Sequence, residues 1–171
     1  MRRIAGVALT LLLLLPLAAQ TQDIELATYT PEQRWERASE QLALSWVAAI
    51  AYAKASGQTA EDYARVVIDL FVPGWGEPGT GTLNVVGGMN RNYLMFTGSE
   101  FEIVDQSEAF VTARSNRPWV RYFGEDGVWY GVTLEEYETV FKMFNAAVAE
   151  HLGLGYEEWE EDGWAYMRFT I

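Results

Sequence analysis

The chain has no cysteine, one histidine (His151) and only two lysines (Lys54 and Lys142) in 171 residues. Without a thiol there can be no disulfide, no cysteine nucleophile, no redox pair and no cysteine-ligated metal. A lone imidazole with no thiolate beside it supplies no zinc or iron ligand set, so no metal is expected. Positive charge is also scarce, with 12 Lys and Arg against 24 Asp and Glu and a net charge of -12. Nucleic acid and anionic membrane surfaces are therefore not expected partners, because phosphate binding needs neutralising cations. A saline habitat would by itself account for such an acidic, lysine-poor surface. Phosphate loops, dinucleotide fingerprints and serine elbows are missing too: the glycines between 74 and 81 fit none of these patterns, and no cofactor is implied.

Long apolar runs are equally rare. The exception is Ile4 to Leu17, preceded by Arg2 and Arg3 and followed by Ala18 and Ala19. A positive start, an apolar middle and a small-residue end are the parts of a secretory leader. The run is shorter than the roughly 20 residues that span a bilayer, and no cysteine follows it to carry a lipid. Residues 1–20 are expected to be a signal peptide cleaved near residue 19 or 20. The product would be periplasmic or extracellular, with no stable membrane anchor. A buried N-terminal helix is the alternative for this stretch. Residues 21–171 are expected to form a single domain, long enough for one core without covalent staples.

Helix signals dominate the first third. Thr30-Pro31-Glu32-Gln33 combines an N-cap, a proline at the first helical position and a capping-box partner. Apolar residues follow at helical spacing as far as Ser56, and Gly57 ends the run. Thr59-Ala-Glu-Asp62 opens a second helix that stops before Pro73-Gly74, which predicts a helical hairpin over 30–71. Residues 72–88, rich in Gly and Pro, read as a long loop. Met89 to Phe96 fits a short helix or a strand.

Residues 89–171 read as a sheet-plus-helix part. Phe101–Val104 and Ala109–Arg114 are predicted strands joined by a turn at Asp105-Gln-Ser-Glu108. Thr133-Leu-Glu-Glu136 is a full capping box, and Leu134, Tyr137, Phe141, Phe144, Val148 and Leu152 form one apolar stripe behind it. Tyr156–Glu160 and Trp164–Ile171 predict a closing hairpin across Glu161-Asp162-Gly163, with Ala165, Met167, Phe169 and Ile171 facing the core. Grouped strands between helices predict an α+β fold. An N-terminal helical hairpin and a C-terminal helix would pack on an antiparallel sheet of about four strands.

The C-terminal helix ending in Leu152-Gly-Leu154 and the short closing hairpin give residues 89–171 the order of a bacterial superfamily. In that order the segment resembles the vinyl-reductase domain and the aminothiazoline-carboxylate hydrolase-like proteins. The resemblance implies a pocket between helices and sheet that holds a small, often hydrophobic molecule. Members often carry cysteines after the second strand and in the closing strand. Here Asn116, Pro118 and Trp119 lie near the first place and Ala165-Tyr166-Met167 near the second, so no thiol or metal role carries over.

Against the acidic background, Arg114-Ser-Asn-Arg-Pro-Trp-Val-Arg121 concentrates three arginines around one tryptophan. The guanidinium fork binds carboxylates in pairs of hydrogen bonds and stacks on aromatic faces. Arg114, Arg117, Trp119 and Arg121 are therefore candidate ligand-binding residues, with Asn90, Arg91 and Trp129 as candidate neighbours. Alternatively, the arginines pair with acids such as Glu100, Glu102, Glu108 or Glu125 on adjacent strands. Trp75 and Trp129 sit where pocket rims occur, whereas Trp35 and Trp46 are expected as core contacts of the long helix. His151 falls at a helix end, where the helix dipole favours a cation. The acids from Glu157 to Asp162 lack calcium-loop spacing and read as a guarded edge strand.

Taken together, these features predict an exported domain that binds a small amphipathic or anionic molecule. One alternative is a cofactor-free hydrolase using a carboxylate, with or without His151. Another is an envelope protein-interaction domain without a pocket.

Overall fold

The computed structural model describes residues 27–171, so the expected leader at 1–20 lies outside the described residues. Both N-terminal helices begin where their caps predict. Helix α1 spans Pro31–Ala55 behind a reciprocal Thr30–Gln33 capping box, and α2 spans Ala60–Phe71 behind a Thr59–Asp62 box. A single 3-10 turn, Val72–Trp75, continues α2.

Seven residues of the expected 17-residue loop are α-helical instead. Helix α3 runs Thr82–Tyr93, taking in residues 82–88 and most of the ambiguous segment after them. Its buried residues, Thr82, Val85, Val86, Met89 and Tyr93, recur at helical spacing. Burial of that stripe outweighs the poor helix propensity of Gly87 and Gly88. Gly88 has a further reason to be there: a Cβ on it would lie 2.5 Å from the Trp75 ring, so only glycine lets that ring rest on α3.

Four strands form the main sheet: β1 (Phe101–Gln106), β2 (Phe110–Ser115), β5 (Gly155–Glu161) and β6 (Trp164–Thr170). All neighbours are antiparallel in the order β1-β2-β6-β5, so two hairpins meet along β2 and β6. On the core face Val111, Ala113 and Ser115 stand opposite Phe169, Met167 and Ala165. Ile171 follows β6 rather than belonging to it and is 78% exposed, against the expectation that it faces the core. The closing turn has Asp162 at φ 50° and Gly163 at φ 81°, the left-handed pair of a type I′ hairpin. A two-stranded ribbon, β3 (Val128–Trp129) and β4 (Val132–Thr133), leads into α4. Helix α4 spans Leu134–His151 from the Thr133–Glu136 capping box.

Helix α3 lies against β2 and α4 against β5, covering the core face of the sheet. Helices α1 and α2 pack in turn on α4. The described chain is thus α+β, with the sheet on one side and two tiers of helix on the other. On the opposite face of the sheet, arginines and aromatic rings alternate. The Arg114 guanidinium sits 4.3 Å from the Trp164 ring centre and that of Arg168 sits 3.9 Å from Phe110, while Trp159 stacks on Tyr166 at 5.1 Å. Among the described residues, no helix is long and apolar enough to cross a membrane.

Candidate ligand cavity

The space left between the two tiers of helix is a cavity of about 790 Å³. That is within the range of small-molecule sites, roughly 300–1,000 Å³. Its walls come from α1 (Leu42, Trp46), α2 (Val67, Phe71), the 3-10 turn (Trp75), α3 and α4, with Trp119 at one side. No strand residue lines it, so the cavity lies within the helical part rather than between helices and sheet. The reason is α3: by folding 82–93 as a helix over β2, the chain fills the layer next to the sheet and leaves the gap one tier further out.

Aromatic contacts hold the walls. Phe141 stacks on Trp119 at 5.2 Å with the rings 5° from parallel, and Trp46 packs against Phe141 at 5.4 Å. Trp75 meets Phe144 edge-on at 6.0 Å. Phe141 and Phe144 belong to the stripe of α4 that its capping box and spacing predict. The Gly-rich segment is tied to the end of the same helix: His151 donates Nε2–H to the Gly76 carbonyl at 2.9 Å, and Gly79 N–H donates to the Leu152 carbonyl at 3.2 Å. The imidazole thus braces the loop that carries Trp75.

The cavity has a wet end and a dry end. At the mouth, Phe71, Leu83 and Met95 line the space and are also exposed, and Arg91 and Asn92 stand with them on the open side. The inner end is made by Tyr93, Trp119, Phe141, Val140 and Asn145. Tyr93, Trp119, Val140 and Asn145 are all buried. Burial, reinforced by the negative charge of Glu158, pushes the Tyr93 hydroxyl far above the usual tyrosine range. Tyr156, behind them, is raised for the same reasons. Both phenols are therefore neutral at any physiological pH.

Beyond Tyr93 and Trp119 lies an ionic cluster that does not open into the cavity. Arg117 grips the buried Glu138 of α4 through Nε to Oε1 at 2.7 Å and through Nη2 to Oε2, and it reaches Glu160 at 2.7 Å. Arg117 carries a positive φ of 54°, a conformation a non-glycine residue holds only when its surroundings fix it. Glu158 receives the Tyr156 hydroxyl at 2.5 Å, and burial pushes its carboxyl above the usual range despite that bond and the nearby Lys142.

The structure disperses the residues that the sequence groups together. Trp119 and Arg91 line the cavity. Arg117 lies behind the wall on Glu138, Arg114 is bound to Glu102 on the outer face of the sheet, and Arg121 pairs with Glu36 at 3.0 Å. Asn90 and Trp129 do not reach the cavity; Trp129 stacks on Tyr122 at 5.6 Å. Trp46 packs on the core as expected, but Trp35 is 46% exposed, its indole N–H donating to the Met95 carbonyl at 3.3 Å. Sequence reasoning missed Asn145, although a polar residue within the apolar face of α4 is a readable signal. It missed Gly87 as well, which lines the cavity with open space where a Cβ would stand.

Among the described residues no group of His, Asp and Glu is arranged to hold a metal ion. Comparison of the chain with protein-family models, curated proteins and solved structures finds no match.

Proposed function

We propose that the protein is an exported binder of a small amphipathic anion, an apolar body with an acidic head. One observation carries this reading. The residues lining the cavity include a single cation, Arg91, and no Asp or Glu, in a chain where acids outnumber bases two to one. An acid-free, aromatic-lined space in so acidic a protein favours an apolar guest. The lone guanidinium, which forms no ion pair among the described residues, favours a negative head.

Three probes of equal chain length test the reading: dodecanoate, dodecanol and dodecylammonium, titrated by calorimetry and by tryptophan fluorescence. Dodecanoate is expected to bind about 10-fold or more tightly than dodecylammonium, as one charge-assisted contact at a partly exposed site allows. The Arg91→Ala variant should remove that preference while retaining the apolar contribution. Failure of all three to bind, or equal affinity of anion and cation, would overturn the proposal. The export half rests on residues 1–20, and N-terminal sequencing of protein from its own host checks it: a start near residue 20 or 21 is expected.

A further inference from the structure

Resting on that reading, we infer that the cavity takes its ligand uncharged end first and that Asn145 with Tyr93 recognises a neutral hydrogen-bonding group, a hydroxyl or carbonyl, remote from the acidic head. The ligand class is then an elongated amphiphile with polarity at both ends, anionic at one and neutral at the other.

The argument begins with Asn145. It is a primary amide 4% exposed, on the face of α4 that otherwise carries Phe141, Phe144 and Val148, and it lines the cavity. An amide has two donors and a carbonyl with two lone pairs. Its side chain makes no hydrogen bond to another described residue, so donor and acceptor capacity both stand at the inner end of an otherwise apolar space. A polar group so placed costs free energy unless something bonds to it, and a leucine at 145 would extend the stripe without that cost.

Charge then fixes which end of a ligand arrives there. Behind the inner wall stand the acids Glu138, Glu158 and Glu160 with the cations Arg117 and Lys142; Glu158 and Glu138 act on Tyr93 as negative charges, while Arg117 is spent on Glu138 and Glu160 and Lys142 on Glu160. A carboxylate at the inner end would be desolvated and face two acids. At the mouth it meets Arg91 and water. The acidic head therefore stays outside, and only a neutral group suits Asn145 and Tyr93.

The test compares dodecanoate with 12-hydroxydodecanoate on the full protein. A site with buried groups committed to a ligand hydroxyl should favour the hydroxy acid by about 10-fold, one hydrogen bond's worth. Asn145→Leu should bring the two within about 2-fold or invert the order, as that one bond is lost. Tyr93→Phe, which keeps the ring and its packing on Trp119, provides the same readout should the first variant fold poorly. Arg91→Ala should weaken both ligands alike and leave the hydroxyl preference intact. Equal affinities in the unmodified protein, or a preference for dodecanoate, would overturn the inference while leaving the binding reading standing. If neither ligand binds, the binding reading fails and this inference falls with it.

Discussion

Trp119 donates its indole N–H to Glu138 at 3.0 Å while its ring forms one wall of the cavity. A single side chain thus couples the ionic cluster to the cavity. Its orientation is set from behind by a carboxylate that also holds Arg117, and from the front by the stacked Phe141 ring.

The coupling makes Glu138 expensive to remove. Glu138→Ala leaves the mostly buried Arg117 with only the exposed Glu160 for a partner, and breaking a buried pair in this way typically costs about 3–5 kcal/mol. Urea denaturation should show that loss, and Glu138→Gln should show a smaller one. Adding Arg117→Ala to Glu138→Ala should restore part of the stability, because the orphaned charge is then gone.

Adjacent glycines of α3 should behave in opposite ways. Gly87 has open space at its Cβ position and borders the cavity, so Gly87→Leu should fill it. The helix gains about 1 kcal/mol in propensity, which for a domain of this size raises Tm by roughly 2–4 °C. Uptake of dodecanoate should be lost in the same variant. Gly88→Ala instead drives a methyl into the Trp75 ring and should cost about 1–3 kcal/mol despite the better propensity.

Glu158 should leave a mark on the pH dependence of stability. Burial raises its folded pKa above the ordinary 4.5, so the native state holds this proton more tightly than the unfolded chain. The sign follows directly: the contribution is neutral or favourable well below pH 4.5, and a destabilising cost grows as pH rises from there through the folded value. Glu158→Gln should therefore be more stable than the unmodified protein at pH 8 and indistinguishable from it at pH 3, as read by urea midpoints across that range. Glu136 acts in the opposite sense: against the push of its partial burial, its bonds to Lys54 and the Thr133 cap hold it below the ordinary value, and its contribution is lost as pH falls below 4.5.

Arg114 serves as the control among the arginines. It lies on the outer face of the sheet between Glu102, Tyr166 and the Trp164 ring, and it does not line the cavity. Arg114→Ala should change dodecanoate affinity less than about 2-fold, whereas Arg91→Ala removes the preference for the anion. Isothermal titration of the two variants side by side decides it.

The elements with strong local signals were legible in the sequence. The caps at Thr30, Thr59 and Thr133, the stripe of α4 and the Asp162-Gly163 turn each act over a few residues, and each lies where reading places it. Helix α3 was not legible, because Gly87 and Gly88 speak against a helix and only the distant Trp75 ring explains one of them. The candidate site was legible in part. Trp119 and Arg91 line the cavity, but clustering along the chain brought in Arg114 and Arg121, which point to other faces of the fold. Alternation sends Arg114 away from the core as soon as Ala113 and Ser115 face it. Asn145 lies 54 residues from Arg91 in the sequence, and only the packing of α3 near α4 brings them to one space.

The contrast between an acid-free cavity and an acid-rich exterior has a kinetic consequence. With a net charge of -12, the molecule repels an approaching anion over many ångströms, and the guanidinium of Arg91 acts only near the entrance. Salt screens the long-range part, with a Debye length of about 10 Å at 0.1 M, more than it screens a contact. Association of an anionic guest should therefore speed up as ionic strength rises, the reverse of a steered encounter. On the proposed reading, loading of an anionic guest is expected to be fastest in brine.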